Sequence, residues 1–195
     1  MLDLTLAADD VAPRLLGAVV RFGPVAVRLT EVEAYAGTDD PAAHAFGGPR
    51  PRTRDLFAGP GTLYCYLSHG LHICANIVCG EVGGGSAVLL RAGEVVDGLD
   101  LARMRRPHVA DRALARGPGN LGRALGLGLA DSGMTFGSGG LSLEAFGANP
   151  EAVASGPRVG VSVAYSRPWR FWLVGDPTVS AYRRSPRIVP GRADW

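Results

Sequence analysis

The sequence predicts a mixed α+β fold built as one domain over residues 1–195. Three observations lead there. Some segments repeat their apolar residues at helical spacing, and others alternate them with period two. No Pro-, Gly- or Ser-rich linker separates two cores. The 195 residues, 47% apolar and 19% charged, suffice for a well-buried core.

Residues 8–21 set Val11, Leu15, Leu16 and Val19 on a helical stripe behind Asp9-Asp10, read as the N-cap. Residues 25–35, VAVRLTEVEAY, alternate and predict a strand. Residues 36–60 are rich in Pro and Gly and predict a loop. Residues 62–67 (TLYCYL) and 71–79 (LHICANIVC) are two β-rich runs joined by Ser68-His69-Gly70, which predicts a hairpin with a short tip. Residues 86–91 (SAVLLR) predict another buried strand, and residues 94–106 and 119–127 predict helices. Residues 133–157 surround the apolar run LSLEAF with glycines and predict irregular structure. Residues 158–164 (RVGVSVA) and 169–174 (WRFWLV) predict two closing strands.

Composition excludes several chemistries. All 20 basic residues are Arg, so neither a Schiff-base lysine nor a P-loop lysine is available. No stretch approaches about 18 uninterrupted apolar residues, so no membrane span is expected. The N-terminus lacks the basic region of a signal peptide, and three Cys are too few for a disulfide framework, so a reducing cytoplasm is the expected compartment. The net charge of +2 says little. Its distribution says more: Arg50, Arg52 and Arg54, then Arg103 to Arg123, then Arg167 to Arg192 form clusters, and the acids concentrate elsewhere, at Asp9-Asp10, Glu31 and Glu33, and Asp39-Asp40. Such segregation is compatible with a phosphate-binding face, but from charge alone a solvated surface is the favoured reading.

Several residues could carry chemistry. Alternation along 25–35 puts Glu31, Glu33 and Tyr35 on one face of the strand and Val32 and Ala34 on the other. That face is either a functional surface or an exposed edge with solvated acids. In the hairpin, Tyr64, Tyr66 and Ser68 share a face. Asn76, among apolar neighbours, must pair with backbone or with a ligand. Arg91 ends an apolar run and needs a carboxylate or an anion, and Glu33 is the candidate if the strands are neighbours. Cys65, His69, His72, Cys74 and Cys79 match no usual zinc spacing, and buried Cys acting as small hydrophobes account for them better.

The run Thr30-Glu31-Val32-Glu33-Ala34-Tyr35, then Asp40-Pro41-Ala42-Ala43-His44, Arg52-Thr53-Arg54, Pro60-Gly61-Thr62-Leu63-Tyr64-Cys65-Tyr66, Asn76 and Leu89-Leu90-Arg91-Ala92, resembles the alkyladenine (3-methyladenine) DNA glycosylase family of the methylpurine type. The stretches GPGNLGRALGL (117–127) and RVGVSVA (158–164) are similar to it as well. The resemblance implies a single compact domain with a curved antiparallel sheet, flanking helices and a protruding hairpin. It implies an enzyme of base excision repair, a monomer in the cytoplasm at the bacterial nucleoid, that binds double-stranded DNA containing a damaged purine. Such an enzyme flips 3-methyladenine, 7-methylguanine, hypoxanthine or etheno adducts out of the duplex and hydrolyses the N-glycosidic bond, with no strand cleavage and no metal or other cofactor.

Carried over residue by residue, Glu33 takes the place of the general base that activates water, and Arg91 that of the arginine beside it. Tyr35, His44 and Tyr66 take the places of residues that sandwich the flipped base. Ala42 and His44 would offer backbone N–H groups to the purine edge. Asn76 takes the place of the amide that disfavours the exocyclic amine of guanine. A cationic alkylated base between electron-rich rings gains roughly 0.5–2 kcal/mol per face. Two other readings compete: an O-glycoside hydrolase using Glu31 and Glu33, and a non-catalytic module binding DNA or metal through the arginines or the Cys/His hairpin. Glu31 and Glu33 would sit about 7 Å apart on one side of a sugar, whereas an acid and a base must flank the bond.

The hairpin tip departs from the resemblance. Many relatives carry a Tyr wedge there; here the position is His69, followed by Leu71 and His72, and Leu71 can share the wedging. An imidazole is smaller than a phenol and can charge near neutral pH. Base extrusion should therefore depend more on pH than in a His69→Tyr variant. Fluorescence of 1,N6-ethenoadenine duplexes from pH 5.5 to 8 measures this, and identical profiles for the two proteins would reject it.

Overall fold

The structure, a computed structural model, describes residues 2–144 and 149–188. The elements in chain order are α1 (Ala8–Arg14), β1 (Val19–Phe22), β2 (Val25–Ala36), β3 (Leu63–Ser68), β4 (His72–Val78), β5 (Ser86–Asp97), α2 (Leu99–Arg105), β6 (Ala115–Arg116), α3 (Pro118–Leu125), β7 (Leu141–Glu144), β8 (Val153–Gly156) and β9 (Arg170–Leu173). Short 3-10 turns occupy Gly37–Asp39 and Pro51–Phe57 within the expected loop. The architecture is α+β with one curled antiparallel sheet, as expected.

The sheet runs β3-β4-β5-β2-β1-β7. Its spine is the pair of long strands β2 and β5, twelve residues each. The outer edge of β2 is shared. Val25–Arg28 pair with β1, while Glu31–Glu33 pair with β9, which carries β8 on its far side. Register shifts interrupt the β2–β5 ladder on both sides of Glu31. The pairing passes from Val32 opposite Leu90 to Glu31 opposite Ala92, so Arg91 is the extra residue of a bulge. Bulges bend a strand and increase its twist. Here the bend falls where the two buried acids lie.

The two faces of the sheet differ in chemistry. One carries Val32, Ala34, Leu63, Cys65, Ala75, Ile77, Val88 and Leu90 into the main core, with α1 packed on β2 and α3 on β4 and β5. The other carries Glu31, Glu33, Tyr35, Tyr64, Tyr66, Asn76 and Arg91. The alternation read from the sequence thus separates core from site. The hairpin β3–β4 pairs in plain register from Leu63 opposite Ile77 to Ser68 opposite His72, and His69 at its tip is left-handed with φ 51°.

Several expected boundaries are corrected. The first helix ends at Arg14 rather than continuing to 21: the chain turns at Gly17, φ 81°, whose N–H reaches Leu29 O at 2.8 Å. The β-branched pair Val19-Val20 then forms β1, joined to β2 by the two-residue turn Gly23-Pro24. The N-cap is Ala7, with no side-chain cap, and Asp9 and Asp10 sit in the first turn, where negative charge still favours the helix. Residues 94–97 extend β5 instead of opening a helix. The second helix follows Gly98, φ 69°, where an added Cβ would lie 2.4 Å from Pro24 O. The Gly-rich 133–157 segment supplies β7 to β1 and β8 to β9, and the end of its apolar run, residues 145–146, lies outside the described residues.

Residues 158–164 form a bending loop rather than a strand. Gly160 (φ 74°) and Ala164 (φ 46°) break the extension that the alternating valines suggest, and the loop wraps around the buried side chain of Arg158. β6 is too short for any pattern of its own.

Helix α3 approaches the sheet so closely that a Cβ on Gly122 would lie 2.2 Å from Ile73 O, a backbone atom that cannot swing away. Gly122→Ala should therefore destabilise the fold by about 1–3 kcal/mol despite the better helix propensity of alanine. Urea unfolding monitored by circular dichroism checks this through the shift in midpoint.

Candidate active site

Glu31 and Glu33 both have 0% exposed surface. The reading of a solvated edge strand is thereby overturned, because β9 covers that edge. Burying two carboxylates is costly unless each is paired and hydrogen-bonded. Arg91 supplies the first partner. Its Nε donates to Glu31 Oε1 at 2.8 Å, and its Nη1 lies 3.3 Å from Glu33 Oε2. The pairing of Arg91 with Glu33 thus occurs, but its shorter contact is with Glu31. Burial opposes the charge on Arg91, yet the Glu33 and Glu31 charges raise its pKa above the ordinary value.

Glu31 is held from four directions. Beside Arg91, Arg170 Nε donates to Oε1 at 2.7 Å, Ser180 N–H to Oε2 at 2.7 Å and Ser180 Oγ to Oε1 at 3.0 Å. Burial alone would raise its pKa, but the Arg91 charge and the hydrogen bond from Arg170 leave it below 4.5. Glu33 is held differently. Tyr35 OH donates to Oε2 at 2.9 Å and Val159 N–H to Oε1 at 2.7 Å. A carboxylate offers about four lone-pair positions. Among the described residues, two hydrogen-bond donors and the Arg91 ion pair face Glu33, which leaves room for one more.

Tyr35, whose hydroxyl bonds Glu33, joins Ala42, His44, Tyr64, Tyr66 and Asn76, among others, in lining a recess with about 390 Å³ of space including its mouth; Glu33 itself is not a lining residue. Five residues expected in a base pocket therefore meet around one cavity. His44 and Tyr66 touch edge to face, ring centroids 4.4 Å apart, and Tyr64 stacks beside Tyr66 at 5.8 Å. His44 Nδ1 lies 3.3 Å from Tyr64 OH. Although His44 is exposed by surface area, its ring sits in the recess, and this partial burial with the nearby Arg52 charge lowers its pKa below 6.5. Burial pushes Tyr64 up to about 12 and raises Tyr35 and Tyr66 as well, so the phenols keep their protons at neutral pH. Asn76 resolves toward backbone on one side: its Nδ2 donates to Tyr64 O at 3.1 Å.

A second buried ion pair braces two residues that line the recess, Ala42 and Tyr35. Arg158 and Asp40, both almost without exposed surface, are bonded through Arg158 Nη1 to Asp40 Oδ2 and through Nη2 to Oδ1 at 2.9 Å. Asp40 in turn accepts from Ala42 N–H at 3.1 Å, which fixes the start of the Ala42–His44 segment. Arg158 donates to Ala34 O and Ala164 O and lies 4.6 Å from the Tyr35 ring centroid. The sequence reading assigned no role to Asp40, Arg158, Val159, Arg170 or Ser180. Asp40 stood in a quoted motif and Arg158 heads RVGVSVA, but only tertiary contact joins them. Arg170 had been grouped with a basic cluster; the structure buries it against Glu31.

The expected wedge residues stand apart from this cluster. His69 and His72 are exposed, and Leu71 is 77% exposed. Ser68 Oγ and His69 Nδ1 lie 3.0 Å apart. The arginine clusters divide. Arg103 is tied to Asp100 and Asp111, and Arg105 and Arg106 cap backbone carbonyls, whereas Arg50, Arg52 and Arg54 are exposed, and Arg52 and Arg54 line a second cleft with His44, Tyr64 and Tyr66. Cys65, Cys74 and Cys79 are free and buried, and burial pushes the Cys65 and Cys79 thiols up to about 12. No group of three or more His, Cys, Asp or Glu set to hold a metal occurs among the described residues, nor is any helix there long and apolar enough to cross a membrane.

The family model for methylpurine-DNA glycosylase matches residues 3–177. The chain is similar to three curated proteins named "Putative 3-methyladenine DNA glycosylase". That of Cutibacterium acnes is 51% identical over 190 residues, covering 94% of this chain and 100% of that protein. That of Frankia casuarinae is 53% identical over 191 residues, with 91% and 90% covered. That of Nocardia farcinica is 52% identical over 200 residues, with 98% and 94% covered.

The buried acid Glu31 ties stability to pH. Its folded pKa lies below its unfolded one, so the unfolded chain binds the proton first as pH falls. The stabilisation is fully present above about 4.5 and is lost as pH falls through the folded value. Glu31→Gln should cost about 3–5 kcal/mol at pH 7 by leaving buried arginines short of a partner. Urea unfolding of both proteins from pH 7 to 3 should show that gap narrowing as pH falls.

Proposed function

The chain belongs to the methylpurine-DNA glycosylase family, and from that footing we propose that it extrudes damaged purines from duplex DNA and cleaves them with a water activated by Glu33. The family makes it a DNA glycosylase, a hydrolase of N-glycosyl bonds. The observation that carries the finer reading is Glu33 itself: a buried carboxylate with one acceptor position left over, beside an arginine and bonded to Tyr35, a residue that lines the aromatic recess.

In this reading Glu33 accepts a hydrogen bond from water in its fourth position, and Arg91 donates to the same water's oxygen. Tyr35, Val159 N–H and Arg91 hold the carboxylate in one orientation, so it need not reorganise as the reaction proceeds. As the water oxygen bonds to the sugar C1′, its proton passes to Glu33. The electron pair of the N-glycosidic bond leaves with the base. A positioned general base contributes about 10²–10⁴-fold. An alkylated purine is cationic and leaves readily, while a neutral hypoxanthine depends more on hydrogen bonds to its edge, for which the His44 N–H is the backbone donor, since the expected Ala42 N–H is already given to Asp40 Oδ1.

The recess sets how a base would stack. A ring held between two faces needs them roughly 7 Å apart, twice a van der Waals contact. His44 and Tyr66 at 4.4 Å are too close to receive one between them. In this reading they form one wall, and Tyr35, which also lines the recess, is assigned the other. A neutral His44 suits a cationic base better than an imidazolium would, and the lowered pKa keeps it neutral at pH 7. Asn76, oriented by Tyr64 O, stands on the recess lining to discriminate against guanine.

The rest of the reading follows from composition and surface. With no Lys in the chain, an amine-based lyase step has no side-chain nucleophile, and the product is an intact strand with an abasic site. Exposed Arg50, Arg52 and Arg54 meet phosphates beside the recess, and His69 and Leu71 fill the space a flipped base vacates. The protein acts as a monomer on the cytoplasmic chromosome, without metal or membrane. The O-glycoside hydrolase reading is disfavoured because Glu31, with four donors on two oxygens, is engaged and cannot serve as the acid partner.

Release of hypoxanthine and 3-methyladenine from defined duplexes tests the reading, with strand breaks expected only after alkali. Glu33→Gln should lose about 10²–10⁴-fold in single-turnover release and keep lesion binding. Wild-type protein that binds lesions but releases no base would leave only a binding module.

A further inference from the structure

Glu31 lies outside the chemistry just described, yet four donors bond its two buried oxygens. It touches neither the recess nor the remaining acceptor position on Glu33. Its bonds run to Arg91 on β5, Arg170 on β9 and Ser180 in the C-terminal strap, and Ser180 lies beyond the residues 3–177 that match the family model.

We propose that Glu31 is a positioning residue that sets how tightly Arg91 engages Glu33. The inference rests on the reading of Glu33 as the base. A guanidinium is a rigid planar fork, so anchoring one nitrogen constrains the others. Glu31 anchors Arg91 Nε at 2.8 Å, which leaves Nη1 at the longer 3.3 Å from Glu33. Without that anchor Arg91 would be free to turn fully onto Glu33 and form a bidentate pair. The pair would occupy the acceptor position water needs and would weaken the carboxylate as a base. Arg170 and Ser180 work on the other side of the balance. They hold Glu31 in place and share its Oε1, so it neither follows Arg91 nor monopolises it.

The groups that face Glu33 are Arg91 from β5, Tyr35 on its own strand, the Val159 N–H from the 158–164 loop, and Arg170 opposite it in the β9 register. Tyr66 from β3 lies within electrostatic reach, as do Arg158 and Arg91 around Tyr35. Among these charges, Glu31 is the one that competes with Glu33 for Arg91. Removing it puts more positive charge on Glu33, and removing Arg170 puts less.

Single-turnover release of hypoxanthine from pH 4.5 to 8 tests this in Glu31→Gln, Arg170→Gln and Glu33→Gln. Glu31→Gln should move the acidic limb of the pH–rate profile to lower pH. Its plateau should drop, well short of the about 10²–10⁴-fold loss expected for Glu33→Gln. Arg170→Gln should move the limb to higher pH, and it carries the test alone if Glu31→Gln does not fold. A purely architectural role for Glu31 would lower the plateau and leave the limb where it is in wild type, which overturns the inference. If Glu33→Gln releases base at the wild-type rate, the reading of Glu33 as the base fails instead.

Discussion

Two carboxylates buried on the same face of one strand repel each other and lose their hydration, and the site exists because Arg91 lies between them. Its guanidinium reaches Glu31 with one nitrogen and Glu33 with another. The bulge that leaves Arg91 unpaired in the β2–β5 ladder falls at the same point. One arginine cannot balance two acids in a dry interior. Arg170 on β9 restores the charge, and so β9 must pair with the end of β2 that β1 leaves free. The forked edge of the sheet, the bulge and the C-terminal strap that brings Ser180 to Glu31 all serve this one cluster.

The Asp40–Arg158 pair extends the same logic to the loops. Asp40 orders the backbone leading into Ala42 and His44, while Arg158 anchors the loop whose next residue, Val159, donates to Glu33. Arg158 also lies against the Tyr35 ring, whose hydroxyl bonds the same carboxylate. The wall of the recess and the orientation of Glu33 thus rest on a common support. Among the described residues the buried Arg158 Nε has no hydrogen-bond partner, a cost the cation–aromatic contacts with Tyr35 and Trp169 partly offset.

Much of this was legible in the chain. Period-two alternation over 25–35 assigned Glu31, Glu33 and Tyr35 to one face, and the same rule set Tyr64 and Tyr66 together on the hairpin. Apolar runs found the central strands because buried strands are long and uniform. Short elements escaped. β6 has two residues, and β7 and β8 sit in a Gly-rich stretch where pairing with β1 and β9, not local propensity, makes them extended. The valines of 158–164 gave a false strand, since alternation cannot register that Arg158 would be drawn into the interior. Gly23-Pro24 between two apolar runs was a turn signal that could have split the first helix from β1. The buried partners Asp40, Arg170 and Ser180 carry no local mark, because an ion pair spanning more than a hundred residues leaves no spacing to read.

The central claim is that Glu33 faces the anomeric carbon of an extruded nucleotide with Arg91 beside it. A crystal structure with duplex DNA bearing an abasic analogue whose sugar ring carries a cationic nitrogen addresses it directly, since that nitrogen stands in for the charge developing at the sugar. The account requires that nitrogen, or a single water against it, within hydrogen-bond distance of Glu33, with Arg91 still bonded to Glu31. An analogue seated away from Glu33, with the carboxylate turned from the sugar, would contradict it.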